Sequence, residues 1–166
     1  ENIAIGLMGL GVVGSGVVSA LTKKAHTLAA HVGSPLSIRR ILVRDTSKAR
    51  AGGVSRDLVT ARAADILEDP HIAIVVEVMG GEQPALDYIQ EALSRGKHVV
   101  TANKALLAVH GKEIFEAAAK AGVDVAFEAS VGGGIPVLRA LREGLSANRI
   151  LSVQGILNGT TNYVLT

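Results

Sequence analysis

Two hydrophobic rhythms alternate along the chain. Strand-length apolar runs fall at residues 3–8, 36–45, 72–79, 97–101, 123–127 and 150–157, and the stretches between several of them place apolar residues every three or four positions. The runs at 3–8 and 72–79 are almost free of charge, the pattern of strands buried on both faces of a parallel sheet. Val13, Val17, Leu21, Ala25 and Leu28 give one face of a helix over residues 12–31, which Gly33, Ser34 and Pro35 end. The second strand, 36–45, is centred on Ile41 to Val43. Residues 46–60, rich in Ser, Lys, Arg and Gly, are expected to form a polar, mobile connection, and a short helix at 65–70 stops at Pro70. A helix starting near Pro84 turns Leu86, Ile89, Ala92 and Leu93 inward and closes at Gly96. After the strand at 97–101, the spacing predicts two helices, 105–109 and 112–121, broken at Gly111, the second with Ile114, Phe115, Ala118 and Ala119 inward. A strand at 123–127, a glycine-rich loop, a helix from Pro136 to about residue 142 and a last strand at 150–157 complete the pattern.

Strands alternating with helices predict an α/β protein, a Rossmann-like doubly wound parallel sheet. Residues 1–148 are expected to form this domain, and 149–166 the first strand and turn of a second. Right-handed crossovers put every strand's carboxyl end on one edge, where such sheets bind ligands. Five segments then converge there: Gly9 to Gly14, Arg44 and Asp45, Gly80 and Gly81, Thr101 to Lys104, and Glu128 onward.

The first of these carries the sharpest signal. Gly9-Leu10-Gly11-Val12-Val13-Gly14 follows a buried strand and opens a helix. Gly9 permits the tight turn, Gly11 lets a pyrophosphate approach the backbone, and Gly14 lets the helix pack on the strand. The helix directs its unpaired N–H groups, those of Val12, Val13 and Gly14 among them, and its positive dipole end toward phosphates. At the second strand's end Arg44 favours a 2′-phosphate and Asp45 a ribose hydroxyl, so the pair leaves NADP(H) and NAD(H) both open. Gly80 and Gly81 let a ligand or another backbone come close. Thr101 leads to Lys104, whose ammonium stands at a helix start against the dipole; it suits a carbonyl oxygen, a carboxylate, the cofactor or a proton in transit, and Asn103 is expected to hold it. Glu128 beside three glycines suits either a hard cation or a plain turn leaving the sheet. The five histidines show no shared spacing, and no zinc site is expected.

Composition removes other classes. Apolar residues make up 48% of the 166, so a packed core is affordable, but aromatics are only 2%. With so few stacking side chains and 17 basic against 15 acidic residues interspersed, no nucleic-acid partner is expected. No run approaches the roughly 20 apolar residues of a membrane span, so no membrane partner is expected either. Absence of cysteine fits a reducing, cytoplasmic setting. The first residue is Glu1 rather than methionine, as in a piece of a longer chain.

Taken together, residues 9–14, Val43-Arg44-Asp45, Thr101-Ala-Asn-Lys-Ala-Leu-Leu-Ala108, Glu128-Ala-Ser-Val-Gly-Gly-Gly-Ile-Pro136 and Gly155-Ile-Leu-Asn-Gly-Thr-Thr-Asn-Tyr163 resemble homoserine dehydrogenase over essentially the whole chain. The resemblance implies reduction of L-aspartate 4-semialdehyde to L-homoserine with NADPH or NADH, on the route to threonine, methionine and isoleucine. It implies that Lys104 contacts the nicotinamide and substrate region, that Arg44 lies near a 2′-phosphate, and that Glu128, Val131, Gly133 and Ile135 form a monovalent cation loop (Na+ or K+), the last three through carbonyls. It also implies a homo-oligomeric parent whose substrate domain, with an acidic pair and a proton-donating lysine, follows Thr166, so that this stretch binds cofactor and hardly catalyses. An NAD(P)-sensing domain without turnover, and another amino-acid semialdehyde dehydrogenase of the same fold, are the competing readings. The Lys104 and Glu128 loops, which a sensor does not need, weigh against the first.

Overall fold

The structure is a computed structural model that describes residues 2–48 and 54–155. Six strands form one parallel sheet in the order β3-β2-β1-β4-β5-β6: β1 Ile3–Met8, β2 Leu36–Leu42, β3 Val59–Thr60, β4 Ile72–Glu77, β5 His98–Thr101 and β6 Val125–Ala126. The helices are α1 Val12–Lys23, α2 Ala25–Val32, α3 Ala64–Leu67, α4 Ala85–Ser94, α5 Lys104–Ala121 and α6 Val137–Arg139. The sheet reverses direction of growth between β1 and β4, which creates a crevice beyond their carboxyl ends.

Side-chain alternation along β1 splits the core into two layers. Ile5 and Leu7 join Ile41, Val43 and Val76 beneath Val17, Val18 and Leu21 of α1. Met8 faces the other way, into a layer with Ile66 and Leu67 of α3, Ile89 and Leu93 of α4, and Leu106 and Ile114 of α5. Leu7, Met8, Ile41, Ile66, Val75, Ile89, Leu93, Leu106 and Ile114 are wholly buried. Each such side chain stabilises the fold by about 1.5–3 kcal/mol relative to exposure, so the two layers hold the strand ends rigidly.

Several expectations are corrected. The helix expected over 12–31 is two, α1 and α2, interrupted at Lys24 (φ −112°, ψ 20°). The ladder barely breaks, since Lys24 N–H still donates to the Ala20 carbonyl, so the apolar spacing does not register the interruption. Conversely Gly111 does not break α5, which is one helix of 18 residues. Its inner stripe is Leu106, Gly111, Ile114 and Ala118; Ala119 is exposed, and Phe115 lies at the flank, its ring 5.0 Å from that of Phe127. The expected connection 46–60 contains a single helical turn at Arg56–Leu58 and strand β3, whose Val59 and Thr60 pair with Ile41 and Leu42; residues 49–53 lie outside the described residues. The helix expected from Pro136 is the single turn α6 followed by a wider turn over Ala140–Gly144, closed by Leu145 N–H on the Ala140 carbonyl. Residues 150–155 are exposed and form no strand; 156–166 lie outside the described residues.

At the sheet's amino edge a buried lysine escaped the sequence reading. Lys97 Nζ donates to the Asp69 and Ile72 carbonyls at 2.6 and 2.9 Å, tying the start of β4 to that of β5. Burial pushes this ammonium's pKa down, the nearby Asp69 charge opposing it. Burial alone would raise the Asp69 carboxyl, but the Arg39 guanidinium and the His71 N–H outweigh it and hold it below its usual range. This cluster is far from the carboxyl edge and serves stability.

Candidate functional site at the carboxyl edge

The glycine turn leaves β1 directly and each glycine has its own geometry. Gly9 adopts φ +104°, and a side chain there would meet the Val78 carbonyl oxygen at 2.9 Å. A Cβ on Gly14 would fall 2.2 Å from the Gly9 carbonyl oxygen, so α1 can pack on the turn only with glycine at that position. Gly11 differs: a Cβ there has nothing within 4 Å. The space in front of it is open, as close approach of a ligand requires. Gly11 is the N-cap of α1, provides no side-chain cap, and no acidic residue occupies the first turn. The first-turn N–H groups therefore have no intrahelical acceptor and stand at the positive end of the helix dipole. Val12 beside them is 94% exposed.

Next to the turn, β4 and β5 end in a buried polar network that the sequence reading did not single out. Glu77 is 0% exposed although it carries a carboxylate. Its Oε1 accepts from the N–H groups of Met79 and Gly80 at 2.8 and 3.2 Å, and its Oε2 accepts from Thr101 Oγ1 at 2.7 Å. Thr101 Oγ1 in turn accepts from Asn103 N–H at 3.0 Å. Asn103 caps α5, its Oδ1 accepting from Leu106 N–H at 3.2 Å, while its Nδ2 donates to the Gly81 carbonyl at 2.6 Å. Gly80 and Gly81 sit at φ +75° and +78°, the left-handed region that glycine enters without strain. Thr101 is thus buried with its hydroxyl committed to Glu77 and Asn103. Asn103 holds the glycine loop and the helix end rather than the Lys104 side chain. Lys104 is the first residue of α5 and is exposed. A charged residue inside an otherwise apolar strand was the signal for Glu77, since nothing else in β4 explains it.

Arg44 and Asp45 follow β2, both exposed. Asp45 Oδ1 accepts from the Ser47 N–H and hydroxyl at 2.8 and 2.7 Å, closing a tight turn. This corner is adjacent to the glycine turn, for Gly9 N–H donates to the Leu42 carbonyl at 3.0 Å.

On the far side, Glu128 begins a helical turn after β6. Its two carboxylate oxygens accept from Leu138 and Arg139 N–H at 2.9 and 3.0 Å, at the start of α6. The Glu128 and Ile135 carbonyls already accept from Val131 and Val137 N–H. The side chain therefore braces the loop 131–136 across its base, and of the carbonyls expected to face a cation, those of Val131, Gly133 and Ile135, the last is already engaged. Ser130 Oγ donates to the Thr101 carbonyl at 2.9 Å and ties this loop to β5. No cluster of three or more His, Cys, Asp or Glu able to hold a metal occurs among the described residues.

A parallel sheet of this order, with a glycine turn and an open helix end at its switch point, defines a dinucleotide-binding α/β domain. Residues 9–128 match the family model described as "Homoserine dehydrogenase, NAD binding domain", and residues 136–166 match that described as "Homoserine dehydrogenase". The chain belongs to the homoserine dehydrogenase family. It is 47% identical over 164 residues to homoserine dehydrogenase of Bacillus subtilis, covering 99% of this chain and 38% of that protein. The crystal structure of a homoserine dehydrogenase from Thiobacillus denitrificans superposes with a TM-score of 0.92 at 47% identity, over 99% of this chain and 38% of the other. A hyperthermophilic archaeal homoserine dehydrogenase solved in complex with NADPH shares the fold, with a TM-score of 0.72 at 22% identity, over 89% of this chain and 50% of its own. The chain thus spans well under half the length of the first two relatives.

Proposed function

We propose that this chain is the cofactor-binding portion of an NAD(P)-dependent oxidoreductase that interconverts L-homoserine and L-aspartate 4-semialdehyde. The observation that carries the reading is the open space at Gly11 in front of the unpaired N–H groups of α1. In this reading Gly11, Val12, Val13 and Gly14 receive the pyrophosphate at the open helix end, on the tight turn that Gly9 permits. Arg44 pairs with the 2′-phosphate of NADP(H), while Asp45 is engaged by Ser47. Gly80 and Gly81 lie against the nicotinamide end, with Thr101 behind them. The nicotinamide supplies the hydride. Lys104 places its ammonium where the aldehyde oxygen develops negative charge and must take up a proton. Carbonyls of the loop closed by Glu128 hold a monovalent cation, Na+ or K+, a neutral oxygen set suited to single charge. A homo-oligomeric parent and a cytoplasmic setting belong to the same reading; no helix among the described residues is long and apolar enough to cross a membrane.

The test is steady-state kinetics of Lys104→Ala in a polypeptide carrying this segment at its relatives' full length. Turnover should fall by roughly 10²-fold or more, with cofactor affinity changing less. Near-normal turnover would reduce Lys104 to a surface residue.

A further inference from the structure

Glu77 is the most deeply buried ionisable side chain at the carboxyl edge, and no step of the reaction uses it. It stands where the two halves of the sheet meet, paired in register with Met8 of β1 and Thr101 of β5. All three of its hydrogen bonds are accepted, none donated. An acceptor-only role suits a carboxylate and no other side chain of its size. Two of the donors belong to the turn that presents Gly80 and Gly81. The third, Thr101, is the first link of a chain that runs through Asn103 to the Gly81 carbonyl and to the first turn of α5.

We infer that Glu77 is a positioning residue for the nicotinamide half of the cofactor: its buried carboxylate fixes the Gly80 and Gly81 turn and, through Thr101 and Asn103, the helix start bearing Lys104. The adenosine half is held elsewhere, by the turn at 9–14 and by Arg44, and does not depend on it. The inference rests on the cofactor reading above. Burial of so polar a group between apolar strands costs stability unless every acceptor site is used. Here two donors lie on the loop and the third, Thr101, ends β5, so the network spans the carboxyl edge.

Glutamine is the incisive replacement. If its amide nitrogen faces Thr101, it donates to Oγ1 and the threonine hydroxyl loses its acceptor. If it faces Met79 and Gly80, donor meets donor. The first orientation breaks one hydrogen bond and the second two, while volume is kept. Calorimetry on the 166-residue chain should use two probes: NADPH, and adenosine 2′,5′-bisphosphate, which lacks the nicotinamide half. Glu77→Gln should weaken NADPH by about fivefold or more, the scale of one lost hydrogen bond, and leave the bisphosphate within about twofold. Thr101→Val breaks the same link from the other side and should show the same split. Lys97→Met, a loss of buried hydrogen bonds at the opposite edge, should lower the melting temperature yet leave both affinities alone. NADPH binding by Glu77→Gln equal to wild type, equal loss of both probes, or failure of both network variants to fold would overturn the inference. Wild-type chain that binds neither probe would overturn the cofactor reading itself, and this inference with it.

Discussion

Gly11 and Gly14 stand three residues apart in one turn for opposite reasons. At Gly14 the protein's own backbone fills the place of a Cβ, at 2.2 Å from the Gly9 carbonyl oxygen; at Gly11 nothing of the protein lies within 4 Å. The first is glycine so that the fold can form; the second leaves open the space that the proposed pyrophosphate needs. The sequence motif assigns these roles by position, and the geometry shows the close packing at Gly14 and the open space at Gly11. Arg44 is the other residue whose chemistry is legible alone. A guanidinium paired with a 2′-phosphate contributes about 1.5–3 kcal/mol. Arg44→Ala should therefore weaken NADP(H) by roughly tenfold or more and leave NAD(H) little changed, as measured by titration of both cofactors; equal loss of both would make Arg44 a structural residue. Glu77 was the residue least legible in advance. Its run of neighbours reads as one apolar strand, and the donors that gather around it come from residues 79, 80 and 101, which only the folded register brings together.

At the scale of elements, the strands of the core were legible because burial on both faces demands unbroken apolar runs. Their ends were not, because the extent of pairing rather than hydropathy sets them: β2 closes at Leu42, where its partner β3 is only Val59 and Thr60. So short a strand leaves no periodicity to read. Helix α5 shows the converse error. Gly111 looked like a break, yet asparagine capping at Asn103 and a long buried stripe carry the helix through it. A Cβ at 111 would meet only the Phe115 ring, at an ordinary 3.6 Å. Gly111→Ala should thus stabilise the chain by about 0.5–1 kcal/mol through helix propensity, read from urea unfolding. Destabilisation instead would mean that α4 and α5 pack too closely there for a methyl group. Of the expected strand at 150–157, residues 150–155 are exposed and unpaired with the sheet, and the rest lies outside the described residues.

Across the whole molecule, topology does what no single motif can. The strand order β3-β2-β1-β4-β5-β6 places the glycine turn, the Arg44 corner, the Gly80 and Gly81 loop, the start of α5 and the Glu128 loop along one edge. Alternation of strands and helices in the sequence was enough to foresee that convergence, because crossover handedness leaves little choice. The central claim is that this edge binds a dinucleotide through the turn at 9–14. Calorimetry of NADPH binding to the wild-type chain and to Gly11→Val tests it most directly. A Cβ at 11 meets no protein atom within 4 Å and the backbone there is extended (φ −84°, ψ −155°), so melting temperature should hold while affinity falls by at least roughly tenfold, the effect of blocking the pyrophosphate. Equal affinities in a folded variant would contradict the claim.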